Sequence, residues 1–146
     1  MGATPYELPE WESWQLVERE PIGRLCVIDH GYPLAFPVNY RVVHDGGRHR
    51  IVFRTNPRSA LARYEGPSSI EVDHIDPDGS AGASAWSVIV RGSLRRVAGP
   101  HEFPDTFPLV EGKFQWIVLE VSAISGRRFT AQPAPDLFVV EWQPQG

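Results

Sequence analysis

The segment Phe53–Ser59, Phe-Arg-Thr-Asn-Pro-Arg-Ser, has the residue types and spacing best suited to chemistry. A strand-like run ends in Arg54 and Thr55, and the proline that follows can open a helix. The free N–H groups at a helix start attract anions, arginine adds a bidentate positive charge, and hydroxyl groups add further donors. Arg54, Thr55, Arg58 and Ser59 therefore predict a phosphate-binding segment. The residue types leave a solvated helix cap open as the alternative.

The other reactive side chains form no recognised catalytic or metal-binding pattern. The histidines are scattered, and strand alternation would place Glu71 and Asp73 on one face and His74 on the other. We therefore expect no metal site. The single cysteine, Cys26, lies in an apolar run without a nearby base, so we expect a core residue rather than a nucleophile. One cysteine also excludes an intrachain disulfide and a zinc site built on several cysteines of one chain.

The composition is that of one globular domain spanning residues 1–146, with 42% hydrophobic and 22% charged residues. The net charge of -4 argues against a broad nucleic-acid surface. No apolar run approaches the roughly 20 residues of a membrane-spanning helix. The first residues lack the basic and apolar regions of a signal peptide. We expect a cytoplasmic protein with neither nucleic-acid nor membrane partners.

Two short helices are predicted. The first occupies about residues 5–20, with possible starts at Thr4-Pro5 or at Pro9, and it ends before Pro21. Trp11, Trp14 and Val17 are three residues apart and would share its buried face. The second covers residues 59–64 and ends at a Gly-Pro pair.

Strand patterns dominate the rest of the chain and predict a mostly β protein. Asp45-Gly46-Gly47 is a hairpin turn, Gly92 marks a bulge, and residues 125–128 are predicted to turn out of the sixth strand. Six or seven strands joined mostly by tight turns favour an antiparallel barrel, closed or nearly closed. The predicted strands are Gly23–Ile28, Leu34–Val43, Arg50–Thr55, Ser69–Ile75, Ala85–Val97, Gln115–Ile124 and Leu137–Trp142.

Five short motifs occur along the chain in an order that resembles a known family. They are Gly-Arg-Leu at residues 23–25, Pro-Val-Asn-Tyr at 37–40, Phe-Arg-Thr at 53–55, Glu-Val-Asp at 71–73 and Trp-Ser-Val-Ile-Val-Arg-Gly at 86–92. This order resembles the pyridoxamine 5'-phosphate oxidase-like family of flavin-binding split barrels, in particular its short actinobacterial-type members. The resemblance covers about residues 8–130.

The resemblance implies a six- to seven-stranded antiparallel split barrel that forms a homodimer, with FMN in a cleft between the subunits. The implied activity is that of a flavin-dependent oxidoreductase acting on an unspecified small molecule. Thr55, Arg58 and Ser59 match the phosphate-binding segment, and Pro37, Val38 and Asn39 match the strand along the flavin ring and ribityl chain. Arg54 would lie beside the ring, with Tyr40 near its N1/N5 edge. Trp86 and Ser87 match the strand that approaches the flavin from the partner subunit.

The sequence departs from the family pattern at two places. Ala60 and Leu61 follow Ser59 where many relatives have a lysine or second arginine, although Arg63 is one turn further on. Residues 135–142 also lack the arginine and histidine that hold the substrate phosphate in pyridoxamine-phosphate oxidases, so we do not expect pyridoxal-phosphate synthesis.

Several alternatives to an FMN enzyme stay open at this point. They are a deazaflavin (F420) reductase, a haem-binding or non-catalytic flavin module, and a scaffold without cofactor. The anionic tail of F420 would need extra cations, and the net charge of -4 favours FMN. The candidate cations are Arg63, Arg95, Arg96, Arg127 and Arg128.

Overall fold

The computed structural model describes residues 4–79, 82–97 and 115–130, which form seven strands, one α-helix and one 3-10 turn. This is the mostly β architecture that the sequence predicts. The elements in chain order are β1 (Thr4–Leu8), α1 (Glu10–Arg19), β2 (Ile22–Asp29), β3 (Tyr32–Asp45), β4 (Arg48–Thr55), the 3-10 helix Ala60–Arg63, β5 (Gly66–Asp76), β6 (Ser84–Val97) and β7 (Gln115–Thr130).

The strands pair antiparallel in the order β1-β7-β4-β3-β2-β5-β6, and β6 pairs again with β7, which closes a barrel. One edge of β7 follows β6 from Trp116 to Thr130. Its other edge pairs first with β4, as far as Glu120, and then with β1, from Gly126 onward. Between these points, among the described residues, that edge has no strand beside it. The gap interrupts the barrel wall, as expected of a split barrel.

Gly92 allows β6 and β7 to stay paired across a bulge. The register shifts between Arg91 and Gly92, where the sequence predicts a bulge. A Cβ atom added at Gly92 would lie 2.0 Å from the carbonyl oxygen of Glu120 on β7. Only glycine permits this approach of two backbones.

The barrel interior is apolar, and helix α1 packs across one end of it. Phe53, Leu25 and Ile70 are fully buried, and Trp14 and Val17 of α1 join the same cluster. The sequence expectation that Trp11 is also in the core is wrong, because its side chain is 64% exposed. A second, smaller cluster consists of Val52, Val97, Trp116 and Val118.

The N-terminal segment divides into a strand and a helix. The helix begins at Glu10, after the second of the two predicted starts, and Thr4–Leu8 form β1 instead of a first helical turn. Pairing with residues 126–130 of β7 supplies the backbone hydrogen bonds that override the local helix signal. For the same reason the turn predicted at residues 125–128 is wrong, because β1 and β6 flank β7 there and hold it extended.

The second predicted helix is a single 3-10 turn, Ala60–Arg63, rather than a helix opened by Pro57. Leu61 and Ala62 of this turn are buried against the barrel. The predicted last strand, Leu137–Trp142, lies outside the described residues.

Candidate functional site

A cavity of about 670 Å³ lies where the C-terminal end of α1 meets β3 and β4. It brings together six of the predicted site residues: Pro37, Val38, Asn39, Tyr40, Arg54 and Thr55. The helix end adds Glu18, Arg19 and Glu20, and β3 adds Arg41. The cavity is therefore lined by charges of both signs. Its volume lies in the range typical of small-molecule sites.

The predicted phosphate segment is ordered by its own hydrogen bonds. The hydroxyl groups of Thr55 and Ser59 lie 2.7 Å apart, so the end of β4 is tied to the start of the 3-10 turn. The backbone N–H of Arg58 donates to the Asn56 side-chain oxygen at 2.9 Å. The N–H of Ser59 donates to the Asn56 carbonyl at 2.9 Å.

These bonds correct the expectation that free helical N–H groups bind the phosphate. Two of the N–H groups, those of Arg58 and Ser59, already have partners in the turn. A 3-10 turn of four residues also provides little of the dipole that a longer helix would contribute. Any anion held at this segment would therefore rely mainly on side chains.

Arg58 is the side chain of this segment best placed to meet an anion. It is exposed, and it forms no ion pair with another described residue. Arg54 is partly buried on β4, one residue before Thr55, and lines the cavity. Two guanidinium groups and two hydroxyl groups therefore flank one turn, and all four are hydrogen-bond donors.

Tyr40 lines the cavity, but its hydroxyl group has another role. The side chain is buried, and the hydroxyl donates to the backbone carbonyl of Val17 near the C-terminal end of α1. Burial, and secondarily the negative charge of Glu20, raises the pKa of Tyr40 well above its usual value. The hydroxyl group therefore anchors the helix, and the place of Tyr40 near a flavin edge stays a prediction.

Trp86 and Ser87 point to opposite faces of β6, so the structure does not bring them to one place. Trp86 packs against the barrel core, and its ring lies alongside His74, with 6.4 Å between the ring centroids. Ser87 is opposite Asp73 in the β5–β6 register, on the outer side of the sheet. The inward position of Trp86 fits a cap on its own barrel, and the approach of this ring to a partner's flavin stays a prediction.

Each carboxylate that lines the cavity is paired with a histidine. Glu18 contacts His44 through Oε1 and Nε2, and Oε1 of Glu20 lies 3.6 Å from Nδ1 of His74. Reasoning from the sequence missed both pairs, because residues from separate strands meet the helix end only in the folded chain.

The remaining sequence predictions concern metal-binding side chains and the single cysteine. No cluster of three metal-binding side chains occurs within residues 4–79, 82–97 and 115–130. Cys26 is half-buried and its Sγ donates to the carbonyl of Arg24 at 3.6 Å, so it is not the core residue that the sequence predicts. None of the described helices is long and apolar enough to cross a membrane.

The sequence of residues 9–128 matches the family model described as pyridoxamine 5'-phosphate oxidase. The chain belongs to the pyridoxamine 5'-phosphate oxidase family. No curated protein matches it.

Solved structures from actinobacteria share the fold over most of the chain. A provisionally assigned pyridoxamine 5'-phosphate oxidase from Corynebacterium glutamicum is 28% identical, with a TM-score of 0.70, and the match covers 91% of this chain and 99% of that one. A FAD-binding protein from Mycobacterium smegmatis is 26% identical, with a TM-score of 0.70 and coverage of 86% and 99%. A conserved protein of unknown function from Corynebacterium diphtheriae shares the fold, with 24% identity and a TM-score of 0.71. The match covers 86% of this chain and 98% of that one.

Proposed function

We propose that this member of the pyridoxamine 5'-phosphate oxidase family binds a flavin nucleotide in the cavity between α1, β3 and β4. The observation that carries the proposal is the convergence of Asn39, Arg54 and Thr55 on one cavity beside the Thr55–Ser59 hydroxyl pair. FMN is the first candidate. FAD is the second, because the similar protein from Mycobacterium smegmatis binds FAD.

The donor set of the site fits a flavin phosphate. A phosphate dianion needs several donors, and charge-assisted bonds from arginine are the strongest of these. Arg58 supplies an exposed guanidinium, and the hydroxyl groups of Thr55 and Ser59 share one hydrogen bond, which leaves one hydroxyl proton for a ligand. This set compensates in part for the missing lysine after Ser59.

The positions of the other arginines favour FMN or FAD over F420. Three of the five cations considered for an F420 tail are in ion pairs: Arg95 with Glu120, Arg96 with Glu65, and Arg128 with Glu12. None of the five lines the cavity. An anionic tail that used Arg95, Arg96 or Arg128 would first have to break the ion pair of that arginine, which supports FMN or FAD over F420.

A homodimer completes the proposal, and one surface suits it. We call this surface the outer face: the outward side of β2, β5 and β6, which exposes Ile22, Ile28, Ile75 and Ile89. Exposed apolar residues grouped on one face commonly mark an interface. Asn39 of the cavity is opposite Ile22 in the register, so the cavity opens beside this face. A second copy packed here would cover the cavity and bring its own Ser87 toward it.

The chain would bind and orient the flavin, whose own chemistry would be hydride transfer to or from a small molecule. Arg58, Thr55 and Ser59 would hold the phosphate. Asn39 and Arg54, on neighbouring strands, would offer hydrogen bonds to the polar part of the cofactor. Buried Val38 and Leu61 would exclude water from one side of it.

Titration of the purified protein with FMN, FAD and F420, followed by flavin absorbance and fluorescence, tests the proposal. We expect FMN or FAD to bind more tightly than F420, and a nicotinamide to reduce the bound flavin anaerobically. Ser59→Ala should weaken binding, whereas the matched change Ser93→Ala, at an exposed site on β6, should not. No binding of any flavin at about 1 mM, the weak end of specific affinity, would refute the proposal.

A further inference from the structure

Three charged side chains form a cluster on the outer face. A single nitrogen of Arg24, Nη1, lies 3.0 Å from Oε2 of Glu71 and 2.9 Å from Oδ2 of Asp73. Arg24 is on β2, and the two acids are two residues apart on β5. Their spacing is what strand alternation requires for two acids that point to the same side of a strand.

The cluster lies among the apolar residues of the outer face. In the register, Arg24 is opposite Pro37 on one side and Glu71 on the other, and Glu71 is opposite Ile89. Residues directly opposite each other in a sheet share a face. Because Ile22 flanks Arg24 on β2, a second copy that covered these isoleucines would also cover the cluster.

The charges of the cluster do not balance. One guanidinium faces two carboxylates, so the cluster carries a net negative charge when both acids are ionised. Burial, and then the neighbouring Asp73, raises the pKa of Glu71 to about 7, although Arg24 opposes the shift.

The other neighbours do not restore the balance. The residues of β6 opposite the two acids are Ile89 and Ser87. The charged residues further along are Arg91 of β6, opposite Ser69, and Arg127 of β7, opposite Ser87. Neither has an ion pair with the cluster among the described residues. On β3, uncharged Pro37 faces Arg24.

We propose that the Arg24–Glu71–Asp73 cluster makes association of two copies depend on proton uptake by Glu71. The inference rests on the homodimer of the proposed function. An interface of two copies would remove two such clusters from water, and an uncompensated charge is costly to bury. Protonation of Glu71 leaves Arg24 and Asp73 as a neutral pair, which is less costly to cover.

The direction of the pH effect follows from linkage. Covering the cluster raises the pKa of Glu71 further, so the dimer binds more protons than two separate copies at pH values above about 7. Dimer affinity is therefore constant at lower pH, where Glu71 is protonated in both states. It weakens as the pH rises through 7.

Subunit exchange between unlabelled and isotope-labelled protein, saturated with FMN and followed by native mass spectrometry, measures this effect. Between about pH 6 and pH 8.5 we expect the exchange rate of the unmodified protein to rise at least about tenfold. This is the change expected if dimerisation raises the pKa of Glu71 by about half a unit or more in each of the two copies. Glu71→Gln should exchange slowly at both pH values. Asp73→Asn should move the rise to lower pH, because the hydrogen bond and the negative charge of Asp73 both raise the pKa of Glu71 and the variant loses them; a rise left in place would count against the cluster.

The matched control is Glu65→Gln, which removes a carboxylate paired with Arg96 at 3.0 Å. It should keep the pH dependence of the unmodified protein. Exchange that is equally fast at both pH values, or that slows as the pH rises, overturns the inference while leaving the dimer intact. A protein that stays monomeric with FMN at every pH overturns the proposed homodimer itself, so the two failures are distinguishable.

Discussion

Arg58→Ala tests how the predicted phosphate segment works. Because the backbone N–H groups of Arg58 and Ser59 are used within the turn, the guanidinium group of Arg58 is the main charged donor expected at a bound phosphate. A hydrogen bond to a charged group contributes about 1.5–3 kcal/mol. Arg58 is exposed, so solvent screens the interaction and the lower value applies. We expect the Kd for FMN to rise about tenfold.

Fluorescence titration with FMN and with riboflavin separates this role from a general loss of binding. Riboflavin has the same ring and ribityl chain but no phosphate, so Arg58→Ala should leave its Kd unchanged. Arg58→Lys keeps the charge but loses the planar pair of donors. Its Kd for FMN should therefore lie between the Kd of the unmodified protein and that of Arg58→Ala. Arg48→Ala removes an equal charge from the β3–β4 hairpin, away from the cavity, and should have little effect. Equal losses for FMN and riboflavin, or for Arg58→Ala and Arg48→Ala, would refute the reasoning.

Two further predictions concern stability and are measured by urea unfolding. Tyr40→Phe leaves the Val17 carbonyl without its side-chain donor and should cost about 1–3 kcal/mol, whereas Tyr6→Phe at an exposed site should cost nothing measurable. A Tyr40→Phe protein of unchanged stability but weaker flavin binding would contradict the anchoring role. Gly92→Ala forces a Cβ atom to within 2.0 Å of the Glu120 carbonyl and should cost at least about 3 kcal/mol. Gly46→Ala, in open space at a φ of 55°, should cost about 1 kcal/mol of unfolding free energy. Equal losses of stability from Gly92→Ala and Gly46→Ala would show that the bulge can relax.

The strands of the barrel were predictable because alternation is a local signal. Phe36, Val38, Tyr40 and Val42 repeat at every second position of β3, and they lie in the core or pack against it. The bulge at Gly92 was predictable for a similar reason, since glycine within a long strand pattern marks a close approach of backbones.

The errors occur where distant segments override a local preference. Residues 4–8 carry a helix-start pattern, but pairing with the end of β7 makes them a strand. The turn predicted at residues 125–128 fails at the same junction. No spacing within the sequence could reveal this pairing, because the two segments are at opposite ends of the described chain.

In the candidate site, as in the fold, the local residue types were predictable from the sequence and the contacts between distant segments were not. The residue types at positions 37–40 and 54–59 indicated a ligand site, and most of these residues line one cavity. The sequence did not indicate how each group is used: the Tyr40 hydroxyl bonds to α1, and Trp86 faces the core. The contacts Glu18–His44 and Glu20–His74 depend on how the helix end lies over the strands, which the composition of either segment does not reveal.

The closure of the barrel by β7 has a consequence for synthesis on the ribosome. β7 is the last strand of the described chain, yet it pairs with β1, β4 and β6, and Thr4 is matched with Thr130. A nascent chain that has released every strand but β7 has a β4 edge and a β6 edge without their partner. Such exposed edges can pair with strands of other chains. The nascent chain therefore needs chaperone protection most just before β7 emerges. Completion of the barrel then depends on contacts that are far apart in sequence, which makes folding slow compared with a helical protein of this size.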